Sequence, residues 1–204
     1  SGTTRLSANV SSAGSQTYAG AMTLGGDTQL QASGVNAVIT TGGSVNGAQA
    51  LTVNATGAGG RVVLSGAIGD STALTRLSAN ASAIMMNGGS VRTAVSQSYA
   101  GPITLARDTV LTSTGSGGSI TVADAINGDV AASRGLSISN TGGTTTLSSS
   151  LGNLNRLSAV DVVGGTVVLN GATVNTSGNQ SYAGSITLGT NMTFTGAHVT
   201  VSDG

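Results

Sequence analysis

The sequence contains no cysteine, lysine, glutamate or tryptophan, and only one proline, one histidine and one phenylalanine. Charged residues make up 7% of the chain, and seven arginines balance seven aspartates, so the formal net charge is zero. Without cysteine, the fold must be stabilised by burial and backbone pairing instead of disulfides. With no basic surplus and too few aromatic side chains for base stacking, the sequence predicts no nucleic-acid partner.

The helix formers Glu and Lys are absent, Gln is scarce, and long apolar runs are also missing. Gly, Ser, Asn or Asp interrupts every apolar run well before the roughly 20 residues that a membrane-spanning helix needs. The residues that are abundant, including 33 glycines and many Thr, Val, Asn and Ser, favour strands joined by tight turns. Hydrophobic residues reach 38% and recur in alternation, which argues against disorder. The composition therefore predicts an all-β fold.

One phrase contains all three tyrosines. It reads SQTYAG at 15–20, SQSYAG at 96–101 and NQSYAG at 179–184, so Tyr18, Tyr99 and Tyr182 recur at two nearly equal intervals. Such spacing is typical of a repeat protein, in which each copy presents the same surface to its neighbours. A second phrase, TRLSAN at 4–9 and 75–80, returns as NRLSAV at 155–160.

A shorter period lies inside this one. A phrase that alternates polar and apolar residues occurs ten times, at uneven steps that average about 20 residues. Four consecutive steps add up to the interval between the second and third tyrosine phrases, so we expect the long repeat to be four turns of a coil. The copies are AMTL (21–24), AVIT (37–40), RVVL (61–64), AIMM (83–86), PITL (102–105), SITV (119–122), TTTL (144–147), TVVL (166–169), SITL (185–188) and HVTV (198–201).

These periods predict a right-handed parallel β-helix of about ten turns of ~20 residues, a rod roughly 45–50 Å long. Residues i and i+2 of each strand, such as Val62 with Leu64 and Ile103 with Leu105, are expected to point inward. A β-sandwich is the rival fold, but it needs no such repeat. We expect residues 1–204 to form one shaft segment with repeat copies at 1–74 (shortened), 75–154 and 155–204 (truncated).

The inventory of chemical groups predicts no enzyme, and no catalytic, metal or cofactor site. His198 is the only histidine and is expected to be exposed on a terminal turn. Only Asp124 and Asp129 are close in sequence, which we interpret as two carboxylates in one loop, and a turn-forming role is favoured for the aspartates. The seven aspartates are Asp27, Asp70, Asp108, Asp124, Asp129, Asp161 and Asp203.

Recurring aromatic and basic residues raise binding hypotheses. Tyr18, Tyr99 and Tyr182 suggest carbohydrate stacking, but four turns would separate them by roughly 19 Å along the axis. We expect instead that each ring packs at a corner and that its hydroxyl has a partner. The arginines of the RLSA phrase are expected to be exposed. An ice-binding face is disfavoured because only TTT at 144–146 and TFT at 193–195 match its pattern. The three arginines are Arg5, Arg76 and Arg156.

The tyrosine phrase and its continuation, SQSYAGPITLARDTVLTSTG and NQSYAGSITLGTNMTFTG, resemble repeats of filamentous-haemagglutinin-like adhesins, as do ALTVNATG and GAIGDSTALTRLSAN. These are large bacterial exoproteins exported by two-partner secretion. The resemblance covers essentially the whole chain and implies a rod-like β-helix, export through an outer-membrane transporter, and a role in adhesion or biofilm structure. The family's amino-terminal secretion domain is not recognisable here.

The resulting functional prediction is a structural shaft segment of a secreted, cell-surface or biofilm-matrix adhesin. Its partners would be the outer-membrane transporter during secretion, a matrix polysaccharide or host receptor, and other copies of itself side by side or end to end. The alternative is a polysaccharide-binding module that holds its ligand along one exposed strand face. A lateral row of Asn, Ser and Arg side chains would be the sign of that alternative.

Overall fold

The computed structural model describes residues 2–203 and confirms the predicted fold class, a right-handed parallel β-helix built from strands alone. Every named strand pair is parallel, as the stacking of successive turns requires. The strands are β1 (Thr4–Leu6), β2 (Val10–Ser12), β3 (Gln16–Tyr18), β4 (Met22–Leu24), β5 (Thr28–Ala32), β6 (Val38–Thr41), β7 (Val45–Asn46), β8 (Ala50–Ala55), β9 (Arg61–Leu64), β10 (Leu74–Ala81), β11 (Ala83–Met86), β12 (Ser90–Ala100), β13 (Ile103–Leu105), β14 (Thr109–Ser113), β15 (Ser119–Val122), β16 (Ile126–Gly128), β17 (Gly135–Leu147), β18 (Ala159–Leu169), β19 (Thr173–Asn175), β20 (Gln180–Leu188), β21 (Thr193–Thr195) and β22 (Val199–Ser202).

Three ladders of paired residues run along the rod, one on each side of a three-sided coil. Ladder 1 is Thr4, Met22, Val45, Ile68, Val91, Leu111, Ile138, Val162, Tyr182 and Val201. Ladder 2 is Val10, Leu30, Val53, Ala79, Tyr99, Val122, Leu147, Leu169 and Leu188. Ladder 3 is Gln16, Ile39, Val62, Ile84, Ile103, Ile126, Leu151, Val174 and Phe194.

The ladders form one continuous aliphatic core. Val62, Leu64, Ile103 and Leu105 are all buried, which confirms the predicted inward positions. We refer to the outward residues beside each ladder as faces 1, 2 and 3, and the chain visits them in that order in every turn. At a strand spacing of about 4.8 Å, the nine steps of ladder 1 span roughly 43 Å.

The turn count is close to the predicted ten, and the long repeat is slightly shorter than the predicted four turns. Not every step between the alternating phrases is a full turn: AMTL lies on face 1 and AVIT on face 3, which is two sides later instead of three. The three shortest steps are all two-sided, so the structure has about nine turns instead of ten. Short steps therefore mark a change of side, and the longest step, from SITV to TTTL, contains the corner loop at 129–134.

The tyrosine repeat consequently spans eleven sides, or three and two-thirds turns, instead of four turns. Tyr18 lies on side 3, Tyr99 on side 2 and Tyr182 on side 1. Each copy is thus rotated by one side relative to the copy before it. The structural unit of the repeat is therefore one side of the coil, a short strand with its corner, and not one full turn. The same phrase can occupy any of the three sides.

Glycine in the tyrosine phrase fits a close approach between turns. Gly101 and Gly184 have φ values of 132° and 123°, a region that L-residues rarely adopt. A Cβ at Gly101 would overlap the carbonyl oxygen of Ala81 in the preceding turn, and one at Gly184 would overlap that of Gly164. Gly101 follows the end of β12, whereas Gly184 lies inside β20, and at both positions the close approach between turns leaves room only for glycine.

Candidate interaction surfaces

The three tyrosines point into the rod and not toward a ligand. Tyr99 and Tyr182 are buried, and Tyr18 is partly buried at the first turn. Each hydroxyl donates to the Oε1 atom of the glutamine two residues earlier, at distances of 2.9 Å for Tyr18, 2.8 Å for Tyr99 and 3.0 Å for Tyr182. The expected hydroxyl partner is confirmed, but the rings lie on strands instead of at corners. Buried rings exclude carbohydrate stacking on Tyr99 and Tyr182.

Each glutamine distributes its amide hydrogens in the same way. Gln97 Nε2 lies within hydrogen-bond distance of three acceptors: Val91 O (3.2 Å), Thr93 Oγ1 (3.3 Å) and Thr112 O in the next turn (2.9 Å). Gln16 and Gln180 have the equivalent three acceptors. This glutamine is part of the tyrosine phrase, but no role was predicted for it. The spacing V-x-[ST]-x3-Q-x-Y, at 10–18, 91–99 and 174–182, is the signal that identifies this network.

The predicted polar residues are on the surface. Arg5, Arg76 and Arg156 are exposed, as expected, and so is His198. All seven aspartates are exposed as well. Among residues 2–203, no group of three or more His, Cys, Asp or Glu side chains is arranged to hold a metal ion.

Two aspartates join successive turns at corners. Asp27 Oδ1 accepts from the backbone N–H of Ala50 (2.8 Å), and Asp108 Oδ1 accepts from that of Gly135 (2.9 Å). Both aspartates lie at corners as expected, but each carboxylate caps the next turn, so the prediction that an aspartate caps its own backbone is wrong for these two. The interpretation of Asp124 and Asp129 as one loop was wrong, because β16 lies between them and puts them at different corners.

Face 2 carries a regular double row of hydroxyl groups. Over five consecutive turns, nine of ten outward positions are Ser or Thr, spaced about 4.8 Å across strands and about 7 Å along each strand. One row is Ser96, Ser119, Thr144, Thr166 and Ser185; the other is Ser98, Thr121, Thr146, Val168 and Thr187. Toward the first turns the rows continue through Arg76 with Ser78, and a third row contains Gln31, Asn54 and Asn80.

This double row was not found in the sequence. A search for Thr-x-Thr fails because serine replaces threonine at several positions, and because the number of residues between paired positions differs from turn to turn. The TTT segment at 144–146 does lie on face 2, whereas TFT at 193–195 lies on face 3.

The corner between faces 3 and 1 carries the most elaborate loops. After β16, residues 129–134 leave the coil, and in the next turn residues 152–158 do the same. The two loops are connected: Ala132 N donates to Arg156 O (2.7 Å), and Asn155 Nδ2 donates to Gly128 O (3.0 Å). Asn127 Oδ1 accepts from Leu154 N (2.9 Å). The loops thus form an ordered protrusion on one side of the rod.

Charged side chains surround the base of this protrusion. Arg134 binds Asp129 through two bonds, Nε to Oδ1 (2.6 Å) and Nη2 to Oδ2 (3.1 Å). The hydrogen bond from Arg134 lowers the pKa of Asp129, and Asp129 in turn raises the pKa of Arg134. Both groups are partly solvated, so the pair orients the guanidinium more than it stabilises the fold. Ala132 has a φ of 62°, which is uncommon for a residue with a Cβ.

Among the described residues, no helix is long and apolar enough to cross a membrane. In comparisons with protein-family models, curated proteins and solved structures, nothing matched this chain.

Proposed function

We propose that this chain is a segment of the shaft of a secreted bacterial surface or biofilm-matrix adhesin, in which it acts as a stiff spacer. The proposal rests chiefly on the continuity of the three ladders, of which the first runs from Thr4 to Val201 without a break in parallel pairing. In such a solenoid each turn is supported mainly by its neighbours, so length is gained by adding turns.

Three further features support a spacer that works outside the cell. The resemblance of the repeats to filamentous-haemagglutinin-like adhesins points to this class of exoprotein. The absence of cysteine suits a chain that passes unfolded through an outer-membrane transporter, because no disulfide can form too early. A shaft also requires interchangeable units, and the rotation of the tyrosine repeat from side to side provides them.

The shaft proposal is tested by binding and shape together. The purified chain should form a monodisperse rod in small-angle scattering, and it should show no saturable binding to a glycan array or to the surface of the producing cells. Saturable binding that is lost when one face is altered would make the segment an adhesive module. A compact, non-rod-like particle would contradict the shaft directly.

The second candidate is a polysaccharide-binding module, and the double row on face 2 favours it. Hydroxyl groups at regular spacing can each donate and accept a hydrogen bond with sugar hydroxyls. Each contact is weak, but many contacts along one chain add up through avidity. The row predicted as the sign of this candidate was Asn, Ser and Arg, and face 2 contains all three types.

A matched pair of triple variants tests this candidate. Replacing Ser98, Thr121 and Thr146 by valine removes three adjacent hydroxyls from face 2. The control replaces three outward threonines of face 3, Thr17, Thr40 and Thr104, by valine. Loss of glycan binding in the first variant alone supports the candidate, and equal binding by both variants counts against it.

A further inference from the structure

The corner between faces 3 and 1 contains an open depression of about 400 Å³ lined by charged and polar groups. We call it the corner groove, and its lining is Gly89, Ala106, Arg107, Asp108, Ser133 and Arg134. Asp108 also lines a second depression of about 280 Å³, which continues over face 1 past Val110, Ala159 and Asp161. The two depressions share only Asp108, and the lining of the second is more apolar than that of the corner groove.

The charged side chains of the corner groove differ in whether they already have a partner within the protein. Arg134 is engaged by Asp129, and one oxygen of Asp108 is occupied by the Gly135 amide. Within residues 2–203, Arg107 takes part in no ion pair, and its side chain is exposed. The guanidinium of Arg107 is therefore available to a ligand. The same groove also offers the second carboxylate oxygen of Asp108, the hydroxyl of Ser133 and the part of the Arg134 guanidinium that Asp129 does not use.

This arrangement selects a class of ligand. A phosphate or polysulfate would meet the Asp108 carboxylate in the lining, and the charge of Arg134 is already balanced by Asp129, so a dense negative charge is disfavoured. A ligand with a single carboxylate and several hydroxyls matches one free guanidinium flanked by carboxylate and hydroxyl acceptors. Val110, 43% exposed on face 1, offers an apolar surface against which the C–H face of a sugar ring can pack.

We propose that the corner groove binds a uronic acid residue of an acidic polysaccharide, with the carboxylate held by Arg107. Arg134 and Ser133 position the neighbouring hydroxyls, and Asp108 Oδ2 accepts from one of them. The Asp129–Arg134 pair and the contacts between the two corner loops hold these groups in place before the ligand arrives, which lowers the entropic cost of binding. The inference goes beyond the proposed function: it shares the polysaccharide class of the second candidate but places the ligand in the corner groove instead of on face 2.

The test uses a galacturonate tetramer as the probe and its fully methyl-esterified form as the neutral control. Binding is measured by calorimetry or NMR titration on the whole chain. Arg107→Gln should weaken the galacturonate tetramer about tenfold, the loss expected for one charge-assisted contact. The matched variant Arg61→Gln, at an exposed arginine on face 3, should bind like the wild type. The methyl ester should bind weakly to all three proteins.

Three results would overturn the proposal: equal binding of acid and ester by the wild type, equal affinity of Arg107→Gln and wild type, or no saturable binding at all. The face 2 triple valine variant separates this site from the polysaccharide candidate on face 2. It should retain galacturonate binding, whereas loss in that variant alone would move the ligand from the corner groove to face 2. Scattering on the same samples reports the rod shape, so failure here leaves the shaft proposal intact.

Discussion

The hydroxyl of Tyr99 donates a 2.8 Å hydrogen bond to Oε1 of Gln97, two residues earlier on the same strand and inside the core. Both side chains are completely buried. Since the Gln97 amide also reaches carbonyl oxygens of the preceding side and of the next turn, the pair joins three segments of backbone at one point. A buried polar pair that is fully satisfied fixes the register between turns, which aliphatic ladders alone specify less strictly.

Removal of the glutamine should therefore destabilise the coil. Gln97→Leu leaves the Tyr99 hydroxyl and the Thr112 carbonyl without a partner, and we expect a loss of about 2–4 kcal/mol in the free energy of unfolding. The control, Gln29→Leu, changes an outward residue on the same side of the rod and should cost less than about 0.5 kcal/mol. Urea unfolding followed by circular dichroism measures both. Equal midpoints for the two variants would contradict a structural role for Gln97.

The inward and outward positions can be tested on one strand. Ile103 is 1% exposed on ladder 3, whereas its neighbour Thr104 points outward. Ile103→Asp buries an unpaired carboxylate and should lower the free energy of unfolding by more than about 3 kcal/mol. Thr104→Asp should have an effect of roughly half a kcal/mol or less. If the melting temperature shifted by the same amount in the two variants, the assignment of the core face would be wrong.

Alanine substitutions at two glycines distinguish the cost of backbone strain from the cost of steric overlap. Gly117 has a φ of 75° but open space where a Cβ would be, so Gly117→Ala should cost about 1–2 kcal/mol through strain alone. Gly101→Ala adds the overlap with the Ala81 carbonyl and should cost at least twice as much. Denaturant midpoints of the two variants provide the comparison. A smaller effect at Gly101 would mean that the turns are less closely spaced there.

Alkaline pH should unfold the rod through its tyrosines. Burial raises the pKa of Tyr99 and Tyr182 well above the value of about 10 in an unfolded chain. The folded state therefore keeps these protons to a higher pH than the unfolded state does. The contribution of the two tyrosines to the free energy of unfolding is constant below about pH 10 and falls above it. The expected slope is about 1.4 kcal/mol per pH unit for each buried tyrosine. Urea midpoints between pH 7 and 12 test this. Because Tyr18 is only partly buried, ionisation of one tyrosine in the folded protein is compatible with this account, but ionisation of two or three tyrosines near pH 10 while the protein stays folded would contradict it.

The fold class was predictable from the sequence, because the alternation of apolar residues directly reports which side chains face the core. Val62, Leu64, Ile103 and Leu105 are buried as that alternation indicates. The rotation of the repeat was not predictable, because all three sides use the same phrase and nothing in AMTL or AVIT tells one side from another. Only the pairing of Met22 with Val45 and of Ile39 with Val62 shows that these two phrases belong to different ladders.

The candidate surfaces were harder to predict than the core. The hydroxyl rows of face 2 depend on which residues become neighbours in adjacent turns, and corner loops of different length change that register. The corner groove combines Arg107 with Arg134, which are distant in sequence and meet only because the loop at 129–134 returns to the coil beside the preceding turn. Local sequence patterns contain no signal for either arrangement.

The most direct test of the shaft is a distance along one face. The chain contains no cysteine, so spin labels can be placed at Thr52→Cys and Thr187→Cys alone. Both positions lie in one row of face 2, separated by six turns through Ser78, Ser98, Thr121, Thr146 and Val168. Double electron–electron resonance should give a single narrow distribution at about 29 Å, six steps of about 4.8 Å. A broad distribution, or a distance below about 20 Å, would contradict a rigid parallel β-helix and the spacer function argued from it.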